Sequence, residues 1–175
     1  YIGYSYEYTS YESACEDQFK TTLDELTVNI FKDLKNLNIY IKGEFLYEIL
    51  RKKKPESEIN IYMYGTNIEN TEKELTEYFK SKNFTVCKLT NSYKIYKNNF
   101  DYIININYSC SNKTTEFIIY TNLAIEQIVY IPKTEECFCT QKFIFWVSFW
   151  VFSVCIRIFF LSSYGCKNSC SSKFH

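Results

Sequence analysis

Residues 38–64, NIYIKGEFLYEILRKKKPESEINIYMY, constrain the fold more than any other stretch of this chain. Asn38 to Lys42 is rich in Ile and Tyr and reads as a short strand, ended by Gly43. Glu44 to Lys53 then carries Phe45, Leu46, Ile49 and Leu50 on one side, the pattern of a helix with one apolar face. Arg51, Lys52, Lys53 and Lys54 close it against its own dipole, and Pro55 stops it. Ile59 to Tyr64 is a second strand. A strand, a glycine turn, a helix and a strand in this order need a sheet with helices laid on it.

The flanking segments extend that plan. From Glu16, apolar residues fall at Phe19, Leu23, Leu26, Ile30, Leu34 and Leu37, which predicts one amphipathic helix to about Leu37. Gly65 breaks the second strand, and Asn70-Thr71 with Glu74 predicts a capped helix running to about Ser81. Phe84–Leu89, Tyr93–Tyr96 and Phe100–Tyr108 are separated by polar turns and read as an antiparallel run, followed by a strand at Glu116–Tyr120. Leu123–Ile131 fits either a helix or a strand. The expected fold class is α/β (α+β): a mixed sheet flanked by helices.

Four segments are expected: an irregular or docked Tyr/Ser-rich arm over 1–14, an α/β domain over 15–137, an apolar segment over 143–161 and a Cys/Ser-rich tail over 162–175. The apolar segment, FIFWVSFWVFSVCIRIFFL, would extend about 28 Å as a helix, long enough to cross a thin bilayer. Arg157 lies near one end, where its head group can reach the interface. A buried element and an aberrant tail are the other two readings. Localisation is accordingly expected to be cytoplasmic or membrane-associated.

At 175 residues the chain suffices for one core. Its 20 basic and 20 acidic side chains cancel, so no global field draws it to nucleic acid or to an acidic membrane. Lysine far outnumbers arginine, and Asn, Ile, Tyr and Phe abound, the usage of an AT-rich genome. Of the 8 cysteines, five crowd the last 40 residues. A disulfide-stapled domain spreads them through a loop-rich body, so free thiols in a reducing compartment are expected. Cys137-x-Cys139 with Cys166, Cys170 and His175 invites a zinc reading, but the apolar run separates the two pairs, and no metal is assigned.

Candidate chemistry concentrates on the 38–64 unit. The Gly43 turn presents backbone N–H groups at a helix start, which suits phosphate, while Glu44 beside it favours the helix dipole and repels an anion. Glu58 and Asn60 stand two apart on one strand and share a face. Two carboxylates at that spacing hold Mg²⁺ for in-line displacement on a nucleotide phosphate; here one of the two is a neutral amide. Asp101, opening FDYIININY, is the other acidic candidate. The lone histidine, His175, supports no Ser/His/Asp or Cys/His set.

The run Ile39-Tyr40-Ile41-Lys42-Gly43-Glu44-Phe45, followed by Glu58-Ile59-Asn60-Ile61-Tyr62, resembles the core motif of nucleotidyltransferase-fold proteins, of the polymerase-beta-like kind found in divergent form in large DNA viruses. In that superfamily a strand leads to Gly-Gly or Gly-Ser at a helix start, and the next strand carries Asp-x-Asp. Tyr120-Thr121-Asn122-Leu123 is similar to a later Phe-Asp-Leu segment, with Asn122 where an Asp would stand. The resemblance covers roughly residues 38–131. It implies a nucleotidyltransferase-like core whose nucleotide-binding positions, Gly43, Glu44, Asn60 and Asn122, depart from the active pattern. The expected function is a catalytically degenerate domain serving as a binding or structural module, a pseudoenzyme with an unidentified protein partner and no cofactor. Two alternatives stand beside it. One is an active Mg²⁺-dependent nucleotidyltransferase with Glu58 and Asp101 as catalytic candidates. The other is a small subunit of a membrane-associated assembly, for which 143–161 is the working part.

Overall fold

The computed structural model describes residues 8–10, 22–109, 123–140, 142–143 and 145–146. The described elements are β1 (Tyr8–Ser10), α1 (Glu25–Asp33), β2 (Ile39–Lys42), α2 (Glu44–Leu50), β3 (Ile59–Met63), α3 (Ile68–Ser81), β4 (Thr85–Lys88), β5 (Ser92–Tyr96) and β6 (Ile104–Tyr108). A 3₁₀ turn (Ala124–Glu126), β7 (Ile128–Ile131) and β8 (Glu136–Thr140) complete them. The strands form one mixed sheet in the order β1-β8-β7-β2-β3-β6-β5-β4. Its only parallel pair among the described strands is β3 with β6, joined through α3 and the β4–β5 hairpin. The α/β expectation therefore holds.

Alternation along the central strands sorts the two faces. Ile39 and Ile41 of β2, Ile59, Ile61 and Met63 of β3, and Ile104 and Ile106 of β6 are buried against Phe31, Phe45, Ile49, Leu75 and Phe79 from the helices. Phe45 packs edge-on to Phe31 and Tyr102, and Phe79 edge-on to Phe84, so the helix layer is anchored by aromatic pairs. The opposite face carries a smaller cluster of Tyr40, Val129 and Ile131, with Tyr40 stacked on Tyr62 at 5.2 Å.

Several boundaries differ from the sequence expectation. The helix expected to run unbroken to Leu37 is interrupted: Asp24 is an N-cap whose carboxylate accepts from the Thr27 N–H (2.9 Å) and hydroxyl (2.7 Å), and α1 ends at Asp33. The helix after Gly43 stops at Leu50, before the basic run, because Lys52 takes a left-handed conformation (φ 55°). Lys53 N–H then reaches the Glu48 carbonyl and Lys52 N–H that of Ile49. α3 begins two residues earlier than expected, at Ile68; Asn70 bonds Glu74 along the helix rather than capping it.

Leu123–Ile131 contains both a 3₁₀ turn and a strand, which is why its period fitted neither alone. The stretch expected to be an irregular or docked arm contains β1, which pairs with β8. Strand β8 lies across the expected boundary at 137, and its Cys137 and Cys139 are buried in the helix-side core. Beyond it, Phe143 is buried and Trp146 half-buried against Tyr47 of α2, so the first residues of the apolar segment pack onto the domain. Most of 143–161, the expected strand 116–120 and the tail lie outside the described residues. Among the described residues no helix is long and apolar enough to cross a membrane.

Candidate functional site

The Gly43 turn and the start of β3 are brought together by the antiparallel pairing of β2 with β3, in which Lys42 stands opposite Asn60. Gly43 caps α2 with φ 107° and ψ −163°, a conformation that L side chains rarely adopt. A methyl group there would lie 3.9 Å from Asn60 Nδ2, an ordinary contact, so the backbone angle rather than crowding demands glycine. Glu44 is exposed in the first turn of α2. That helix is only seven residues long, which limits the field its N-terminus offers an anion.

The loop into β3 is pinned from below. Glu48 is a buried carboxylate of α2, and its Oε2 accepts from the backbone N–H of Glu56 and of Ser57, each at 3.1 Å. These two bonds fix the chain immediately ahead of Glu58. On the solvent side Lys54 donates to Asp101 at 2.6 Å, tying the same loop to the approach to β6. The bond to Asp101, with its charge, holds the Lys54 ammonium above its usual value.

Glu58 and Asn60 do share a face, and the residue that meets them both is Asn105. The β3–β6 register sets Asn105 opposite Asn60. Its Nδ2 donates to Glu58 Oε2 (2.6 Å) and to Asn60 Oδ1 (3.2 Å). A carboxylate has only acceptors, so Glu58 dictates which end of the Asn105 amide points inward, and Asn105 in turn orients Asn60. From the next strand Lys94, opposite Asn105, places its Nζ 3.8 Å from Glu58 Oε1. Both oxygens of Glu58 are thus engaged by nitrogen donors.

The same strand register extends into a row across the sheet: Lys42, Asn60, Asn105, Lys94 and Cys87, each opposite the next. Lys42 is buried, its ammonium 5.9 Å from the centre of the Tyr62 ring. The row holds two lysines and two amides, with Glu58 as its one adjoining carboxylate.

This donor set does not fit a pair of Mg²⁺ ions. Hard divalent cations need several oxygen ligands, with carboxylates to offset the charge. Here the central amide turns its NH₂ group toward the carboxylate, and an ammonium stands on the other side. Among the described residues no three His, Cys, Asp or Glu side chains converge as a metal site would require. Asp101, the other acidic candidate, directs its carboxylate to Lys54. Asn122 lies outside the described residues. Sequence reasoning passed over Asn105 and Lys94. The alternation of Ile104-Asn105-Ile106-Asn107 places Asn105 on the polar face, but only the strand register sets it beside Glu58.

No family model matches the sequence, and no curated protein matches it. The fold, by contrast, is similar to that of CCA-adding enzymes. An apo CCA-adding enzyme superposes with a TM-score of 0.59 at 11% identity, covering 77% of this chain and 33% of that one. The Thermotoga maritima enzyme complexed with tRNA gives 0.58 at 14%, covering 76% and 32%, and a complex with CTP gives 0.54 at 17%, covering 77% and 32%. The chain therefore spans about a third of the length of these structures. At such identities the likeness is one of fold, and CCA-adding enzymes are nucleotidyltransferase-fold proteins: the chain has a nucleotidyltransferase-like fold.

Proposed function

We propose that this chain is a nucleotidyltransferase-like domain without transferase chemistry, serving as a binding or structural module toward a protein partner. The observation that carries this reading is the Glu58–Asn105–Asn60 network, in which the one carboxylate beside Asn60 accepts from the Asn105 amide. Stabilising the in-line displacement of a nucleotide phosphate needs cationic charge held by carboxylates. A single Glu flanked by an amide donor and a lysine does not supply that set.

The reading is tested by calorimetric titration with ATP, CTP or GTP in the presence of Mg²⁺, alongside an assay for nucleotide transfer to RNA and to protein. The expected result is no transfer and no metal-dependent nucleotide binding. Micromolar, Mg²⁺-dependent binding abolished by Glu58→Ala would sink it and favour the active enzyme.

A further inference from the structure

We infer that Lys94 is the resident cation of this site, carrying against Glu58 the charge that a divalent ion would otherwise carry. The inference rests on the transferase-free reading above and names the group that makes the face metal-independent. Lys94 Nζ stands 3.8 Å from Glu58 Oε1 while Asn105 Nδ2 holds Oε2 at 2.6 Å, so the carboxylate is met from both sides. The sheet sets the starting point of that contact: β5 pairs with β6 and β6 with β3, so Lys94, Asn105 and Asn60 are successive partners in one register row, and the long Lys94 side chain spans from it to Glu58, two residues before Asn60. The side chains of Lys94 and Glu58 are about half exposed, 43% and 48%, so a divalent ion could approach from solvent. It would then meet a like charge within a few ångströms, which disfavours its binding whatever oxygen ligands are offered. Restoring carboxylates at positions 60 and 105 therefore gives a weaker ion site while Lys94 remains than once its charge is removed.

The test is a Mn²⁺ titration followed by electron paramagnetic resonance, which reads the free ion directly and needs no activity. Three proteins are compared: the wild-type chain, N60D/N105D, and N60D/N105D/K94M, each first shown by circular dichroism to retain the wild-type spectrum. The triple variant is expected to bind Mn²⁺ at least about tenfold more tightly than the double variant, the consequence of removing one positive charge a few ångströms from a doubly charged ion. Equal affinities would overturn the assignment of Lys94 and leave the transferase-free reading standing. Tight Mn²⁺ binding by the wild-type chain would overturn both. Should the carboxylate variants not fold, thermal melts in EDTA of E58Q, K94M and E58Q/K94M decide instead. Coupled shifts in melting temperature support the pair, and strictly additive shifts overturn it.

Discussion

At the scale of single residues, polar groups in this molecule are assigned by their partners, and the exception is informative. Tyr102 is 3% exposed, and its hydroxyl is the one buried side-chain oxygen without a hydrogen-bond partner among the described residues. Its ring is well placed, edge-on to Phe45 and to Phe100. Burial, with smaller contributions from the charges of Asp24, Asp101 and Glu48, pushes its pKa up to about 12. Since an orphaned buried hydroxyl costs stability and the ring contributes it, Tyr102→Phe should stabilise the fold by about 1 kcal/mol, or roughly 2–4 °C in Tm. A thermal melt checks this; a lowered Tm would show that the hydroxyl has an acceptor. The candidate site obeys the same logic. Glu58 and Asn60 were legible as a same-face pair because strand alternation is a property of the chain. That the amide of Asn105 closes on them was not legible, because 45 residues separate Asn105 from Asn60.

At the scale of elements, helix and strand cores followed their periodicity while their ends were decided by caps. Asp24 cuts what the apolar spacing alone presents as continuous helix, because its side chain satisfies an N–H that the helix would otherwise bond internally. The end of α2 is a Schellman motif with a lysine where glycine is usual, Lys52 at φ 55°. A side chain in that region is strained, so Lys52→Gly should raise stability by about 0.5–1 kcal/mol, read as an increased midpoint of denaturant unfolding with an unchanged slope. Strand β8 escaped the sequence reading because Glu136-Cys137-Phe138-Cys139-Thr140 places thiols where branched or aromatic residues usually mark a buried face. Its identity as a strand comes from pairing with β7 on one side and β1 on the other.

At the scale of the whole molecule, α3 is fastened to β5 and β6 by Glu72, which accepts from the Tyr93 and Tyr108 hydroxyls, with Lys88 of the edge strand β4 at 3.8 Å. The bond from Tyr93, then those from Tyr108 and the Lys88 charge, hold the Glu72 carboxyl below its usual value. Burial first, then the bond to Glu72, pushes Tyr108 up to about 12, and the bond to Glu72 raises Tyr93. The signs give opposite flanks. A carboxyl depressed by folding adds stability above its ordinary value of 4.5, lost as the pH falls through the folded value. A tyrosine raised by folding adds stability below its ordinary value of 10.0, lost as the pH climbs toward about 12. Thermal melts from about pH 3 to about pH 12 should therefore show a plateau with two falling shoulders, and Glu72→Gln should flatten the acid one. A stability that stays level on both flanks would contradict the fastening.

The sequence by itself determined the strand–glycine–helix–strand unit, the face that Glu58 and Asn60 share and the mixed α/β class, because these follow from period, from turn chemistry and from residues close along the chain. Tertiary structure alone decided the strand order, the parallel β3–β6 pair and the seating of Phe143 on Tyr47. It also decided the convergence of Asn105 and Lys94 on Glu58. These depend on register between distant segments, which is set by burying apolar rows on both faces of one sheet, and no local pattern encodes it.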